Sequence, residues 1–239
     1  MTWDEMRPLL EQACSETLTM VGLSSLVTAV VGLPLGVVLS LTDRGGLLPC
    51  VVVNKTLGAL VNLTRSLPFI ILLIALIPFT RWAVGTSIGV DAAVVPLSVG
   101  AVPFFARLVE TSVREVDHGL VEAVQSMGGG VWAVVRKVLL PESLPSLVSG
   151  LTTTVIALIG YSAMAGAVAA GGLGDLAVRY GYQRFENGLM IATVLLLVVL
   201  VTGVQVVGDL LARALDHRGG RAGHGPFRIR PRMPRHPSR

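Results

Sequence analysis

Charge is scarce in this sequence. Asp, Glu, Lys and Arg make up 14% of the 239 residues, against about 25% in ordinary soluble domains. With 52% hydrophobic residues and a mean hydropathy of +0.72, a water-soluble fold is excluded. Cysteine is nearly absent: Cys14 and Cys50 fall in different connecting segments and support no disulfide framework. The four histidines, His118, His217, His224 and His236, lack metal-ligand spacing. No G-x-x-x-x-G-K-S/T run occurs, so the chain has no phosphate cradle of its own, and no nucleophile is paired with a base. The expectation is a protein that is not an enzyme and holds neither cofactor nor metal. Residues 1–17 are acidic and the first apolar run is long, which argues against a cleavable signal peptide.

What is present is apolar sequence in long runs. A helix crossing lipid needs about 20 mostly apolar residues, and helices pair their own backbone groups where no water can. Continuous rather than alternating apolar runs exclude a β-barrel. The expected fold is all-α and polytopic, with five spans at 18–41, 56–80, 88–106, 147–169 and 189–211. The second span is the least regular. Gly58, Asn62 and Arg65 share one helix face by spacing. Either that face points into the protein, or residues 55–65 lie at the membrane surface with Arg65 snorkelling.

Five spans put the termini on opposite sides, and arginine and lysine in short loops favour the cytoplasm. Placing residues 122–145 inside gathers Arg44, Lys55, Arg107, Arg114, Arg136, Lys137 and Arg213 there, with the seven arginines of the tail. Only Arg7, Arg81, Arg179 and Arg184 then lie outside, beside an acidic start carrying Asp4, Glu5, Glu11 and Glu16. The division is thus an extracytoplasmic segment 1–17, a five-helix membrane domain 18–215 with a cytoplasmic loop at 119–145, and a basic tail 216–239. The tail is too rich in Arg, Pro and Gly to bury a core and is expected to be disordered. It either dangles and reinforces topology or attaches to anionic lipid. No recognition fold accompanies its charge, so nucleic acid is not an expected partner.

The loop EAVQSMGGGVWAVVRKVLLPESLP, residues 122–145, is patterned where a linker would be irregular. Residues 119–127 predict a short helix, and Gly128, Gly129 and Gly130 end it. Residues 131–140 predict a second helix, with Arg136 and Lys137 near its C-terminal end. Pro141 and Pro145 then lead into the fourth span. The spacing Glu122-Ala123, Gly128, Val138, Leu140-Pro141 resembles the EAA loop of ABC importer permeases, with Val124 and Val138 standing for Ala and Ile. The stretches NLTRSLPFIILL, IPFTR, VGTSIG, VVPLSVGAVPFFARLVE, RKVLLPESLP and GYSAMAGAVAAGGLG extend the resemblance over about residues 17–217, to the methionine importer permeases. Gly129 and Gly130 depart from a Gly-Ala-Thr-like turn and predict a looser one.

The resemblance implies a type I ABC importer permease fold in a bacterial inner or plasma membrane, N-terminus outside and C-terminus cytoplasmic. It implies a homodimer of permeases, two ATP-binding subunits that carry the ATP and Mg, and an extracytoplasmic methionine-binding protein. The loop residues Glu122, Ala123, Gly128, Val138, Leu140 and Pro141 then dock on the ATPase. In span four the small residues Gly160, Ala163, Gly166 and Ala167 suit close helix packing; GGLG at 171–174 lacks the context of a dinucleotide site and reads as a turn. Met164 stands alone among them. The resemblance assigns it, with Tyr161 and Ser162, to the translocation path or gate; the alternative is a side chain filling a packing gap. Pro96 and Pro103 are seven apart and share a face of span three, where they can kink it. Two other functions stay open, a permease for another small amino acid and an ion-driven carrier. The latter would need acids deep in the bundle, whereas Asp91 and Asp209 sit near span ends.

Overall fold

The computed structural model describes residues 3–216. The rest of the basic tail, including His217, His224 and His236, lies outside the described residues. Among the described residues every regular element is helical: α1 (Trp3–Thr42), α2 (Val51–Ser66), α3 (Phe69–Ala75), α4 (Ile77–Val84), α5 (Val90–Arg114), α6 (His118–Ser126), α7 (Val131–Val134), α8 (Leu140–Gly166), α9 (Gly172–Leu176) and α10 (Asn187–Leu215). Two π turns, Val135–Leu139 and Ala177–Tyr182, extend α7 into α8 and continue α9.

Four helices are long and apolar enough to cross a membrane unbroken: α1, α5, the continuous rod Val131–Gly166, and α10. The fifth crossing is broken, with α2 and α3 meeting at 104°. The sequence predicts one span over 56–80, but a residue before proline is pushed out of helical geometry. Leu67, before Pro68, is extended with ψ 131°. A second interruption at Leu76 lets Pro78 sit in the first turn of α4, where its missing N–H costs nothing.

The helices also outrun their apolar cores. α1 has 40 residues, about 60 Å at 1.5 Å per residue. The expected outer segment is therefore mostly the first turns of α1, where Leu10 and Ala13 pack with Leu173, Leu176 and Leu189. α5 runs eight residues beyond the expected 106, carried by ion pairs described below. It lies at the centre of the bundle, with α1, α2 and α8 against it. Pro96 and Pro103 are buried inside it, on the shared face their spacing predicts.

Backbone contact between α1 and α5 is close because α1 offers glycines there. A Cβ at Gly32 would lie 2.9 Å from Phe105 Cδ1, and one at Gly36 would lie 2.5 Å from Val109 Cβ and collide with the Ala106 carbonyl. At the far end of α8, Gly171 and Gly172 both take positive φ, 86° and 75°. That turn presents the Gly172 N–H to Glu16 Oε2 at 2.7 Å and the Leu173 N–H to Thr17 Oγ1 at 2.9 Å. Gly171 makes the turn, whereas Gly172, Leu173 and Gly174 already belong to α9, which corrects the reading of the whole GGLG run as a turn; the two N–H bonds clamp α9 onto α1. On α10 the side chains of Leu195, Val198, Val199, Val206 and Val207 are exposed, a face suited to lipid.

Two glycines of the same helix give opposite expectations. Gly36→Ala forces α1 off α5 and should cost about 1–3 kcal/mol. Gly22 has nothing within 4 Å of its Cβ position, so Gly22→Ala should be neutral or stabilise by up to about 1 kcal/mol. Thermal midpoints of the two purified variants should move in opposite directions or differ clearly. Equal shifts would contradict the assigned contact.

Candidate functional site

At one end of the bundle α5 passes through residues 115–117 into α6, α6 turns at the glycines, and α7 starts the rod that carries α8. Asp117 caps α6 by accepting the Gly119 N–H at 2.8 Å. Val121 is buried against Val134, Val135, Val138 and Leu139, which leaves the opposite face of α6 to solvent. Glu122, Ala123, Gln125 and Ser126 lie on that outer side.

The turn is closed rather than loose. Gly128 has φ 80°; its N–H donates to Gln125 O at 2.9 Å, and the Gly129 N–H donates to Val124 O at 2.9 Å. These are the paired bonds of a Schellman ending. A Cβ at Gly129 would lie 2.5 Å from Val124 Cγ1, so the second glycine is demanded by packing, which corrects the expectation of slack. Large apolar side chains stand in solvent around it: Met127 is 79% exposed, Trp132 72% and Leu120 42%. Sequence reasoning passed over all three. Their signal was present, since bulky apolar residues flank a glycine turn that otherwise carries polar ones.

The remaining loop residues have a different task. Val138 is buried and Leu140 half-buried, behind the tip. Pro141 has no N–H to give the helix, and the backbone widens just before it: the Leu140 N–H reaches Val135 O, five residues back. The helix therefore continues through Pro141 and Pro145 instead of ending before them. Arg136 and Lys137 are exposed in the interior of a long helix, so the predicted helix C-terminus beside them does not exist.

The root of the loop is held by charge. Glu110 is 3% exposed. Its Oε2 accepts from Arg107 Nη1 at 2.5 Å and its Oε1 from Arg114 Nη2 at 2.7 Å. Arg114 also reaches Asp43 Oδ2 at 2.9 Å, just past α1. One buried carboxylate thus bridges two arginines, Asp43 supplies the second negative charge, and the cluster ties the end of α5 to the end of α1. In the sequence Glu110 only closes the stretch VVPLSVGAVPFFARLVE; the sign of its ion pairs was the arginines at i−3 and i+4.

The path residues expected on span four separate. Met164 is 50% exposed, on one face of α8 with Ser149, Thr153, Gly160 and Ala167. Tyr161 is half-buried and stacks on Phe69, centroids 4.5 Å apart. Ser162 is corrected: it is buried, and its hydroxyl donates to Ile159 O at 2.8 Å, so it belongs to the packed interior. At the other end of the bundle Asp175 pairs with Arg179 through several hydrogen bonds. Those bonds raise the Arg179 pKa above its ordinary value. Among the described residues no group of His, Cys, Asp and Glu could hold a metal ion.

Comparison with known proteins agrees in three ways. A family model described as "Binding-protein-dependent transport system inner membrane component" matches residues 20–218. The chain is 50% identical over 210 residues to the "Probable D-methionine transport system permease protein MetI" of Vibrio cholerae, covering 88% of this chain and 93% of that one. It is 46% identical over 180 residues to the "Methionine import system permease protein MetP" of Bacillus subtilis, covering 75% and 81%. Among solved structures, a chain of the MetNI methionine ABC transporter in an inward-facing conformation superposes with a TM-score of 0.87 at 48% identity, covering 90% of this chain and 99% of that one.

The ion cluster makes its own prediction. Glu110→Gln removes the charge that two arginines share and should cost about 3 kcal/mol, as breaking a buried pair does. Asp43→Asn removes only the exposed outer contact and should stay within about 1 kcal/mol. Thermal unfolding of the two variants in one detergent checks the difference, and comparable losses would refute the central place given to Glu110.

Proposed function

The chain belongs to the family of binding-protein-dependent transport system inner membrane components, and we propose that it is the permease subunit of an ATP-driven methionine importer. Two copies enclose the path, two ATP-binding subunits dock on the two loop tips, and an extracytoplasmic binding protein delivers substrate. ATP and Mg bind those partner subunits. The observation that carries this reading is the tip itself. A chain without a nucleotide site holds Met127, Trp132 and Glu122 in solvent on a rigid helix–turn–helix, and large apolar groups rimmed by polar ones mark a protein contact.

Glu122, Ala123 and Gly128 form the docking face in this reading, while Val138, Leu140 and Pro141 hold its shape from behind. The tip is cytoplasmic, as the arginine and lysine bias requires, which puts the start of α1 outside and the basic tail inside. Closure of the ATPase pair on ATP pushes both tips and opens the path outward; hydrolysis returns it. The methionine relatives supply the substrate, and the match to an inward-facing transporter supports a resting state open to the cytoplasm.

Coupling can be tested by co-expressing the permease with its ATPase and binding protein. Glu122→Lys and Trp132→Ala should each lower methionine uptake and substrate-stimulated ATP hydrolysis at least tenfold, with normal membrane insertion. Wild-type uptake by both variants would remove the tip as the contact.

Met164 is proposed as the gate, closing the path against its twin at the dimer axis. Methionine is flexible enough to close and reopen a constriction. Met164→Cys should form a disulfide or a short bis-thiol cross-link across the dimer in the nucleotide-free state, since a disulfide needs Cα atoms within about 7 Å. Trapping with ATP should lower the yield. Failure of every linker in every nucleotide state would place Met164 elsewhere.

A further inference from the structure

The break between α2 and α3 opens a cavity of ≈ 240 Å³ whose walls include Thr64, Arg65, Leu67, Phe69, Phe104 and Tyr161. Phe104 lies two residues inside the expected end of its span at 106, about 3 Å along α5, so the cavity sits toward the cytoplasmic end of the span. The Arg65 guanidinium carbon is 6.0 Å from the centroid of the Phe104 ring. Phe69 and Tyr161 stack within 8° of parallel and form a flat apolar wall. No carboxylate pairs with Arg65 among the described residues, whereas Arg107, Arg114 and Arg179 all have one.

Arg65 is exposed and, with no carboxylate partner among the described residues, presents its donor fork to any anion that enters the cavity. We propose that the cavity is a resting site for an α-amino acid in transit. Arg65 takes the carboxylate through paired N–H donors, the geometry in which guanidinium and carboxylate match. The rings of Phe104, Phe69 and Tyr161 take an apolar or thioether side chain, sulfur being favourable against an aromatic ring. The volume fits: it falls just below the about 300–1,000 Å³ of sites for drug-sized ligands. The broken span is what makes room, since an unbroken helix would carry residues 67–69 straight past α5. The inference rests on the amino-acid importer reading and adds a place for the substrate within the membrane.

The test uses the assembled importer in nanodiscs, with ATP and the binding protein, in a Cys14→Ser, Cys50→Ser background. Thr64→Cys is the reporter and Leu67→Cys a second one. L-Methionine should slow alkylation of the reporter at least threefold. Methioninol, which lacks the carboxylate, should not, and adding Arg65→Gln should abolish the protection. Unchanged labelling at both reporters, equal protection by methioninol, or protection that survives Arg65→Gln would each overturn the site. Labelling that responds to the phosphate headgroup content of the nanodisc and not to methionine would assign Arg65 to lipid and also overturn it. Uptake of radiolabelled methionine by the same background separates the two readings: no uptake rejects the methionine function, while uptake without protection rejects only the site.

Discussion

Lipid supplies little hydrophobic drive between helices, so the bundle depends on how closely its backbones approach. That constraint is met first where α1 crosses α5. Gly32 and Gly36 leave no side chain in the way, and Phe105 and Val109 enter the space. With α5 fixed, the rest is placed by contacts of the same kind: Gly150 of α8 admits Leu108, and Gly208 of α10 admits Thr152. Both ends of α5 are then tied by polar contacts. The Glu110 cluster binds one end to the α1–α2 turn, and at the other the Gly89 N–H donates to the Ala169 carbonyl beyond α8.

This explains which parts of the structure the sequence could disclose. Long apolar runs report the existence of spans, because membrane crossing needs length and hydropathy and little else. They do not report ends. α5 continues to Arg114 because Arg107, Glu110 and Arg114 repeat at helical spacing, so charge extends the helix where hydropathy has stopped. Nor do they report breaks: Pro68 interrupts one helix, while Pro96, Pro103 and Pro145 lie inside others. The difference depends on whether neighbouring turns can absorb the missing bond, which is a tertiary property.

The loop was legible as a pattern and less so as a surface. Glu122, Gly128 and Pro141 announced a helix, a turn and a second helix. Which of these face a partner depends on how α6 lies against α7, and that follows from Val121 entering the cluster with Val134 and Val138. Once Val121 is inside, Met127 and Trp132 have nowhere to go but outward. Ser162 illustrates the reverse: next to Tyr161 in sequence, it points into the bundle because one residue turns the helix by about 100°.

The continuity of Val131–Gly166 bears on how a push at the tip could reach the path. Trp132 and Met164 lie on one rod, thirty-two residues apart, about 48 Å at the helical rise. No break in the rod separates Trp132 from Met164, so in the proposed mechanism the tip does not move a linker that then moves a helix. It tilts the helix that carries Met164. A rod of this length turns a small rotation at one end into a displacement of several ångströms at the other, about 4 Å for 5° over that span. The place where it can yield is the π turn before Pro141, where the Leu140 N–H has already shifted its partner by one residue. Val138 and Leu139 are buried there against the root of the loop, and Ser143 holds the Leu139 carbonyl at 2.6 Å. The turn is braced on both sides, and the rod keeps its stiffness despite the missing bond.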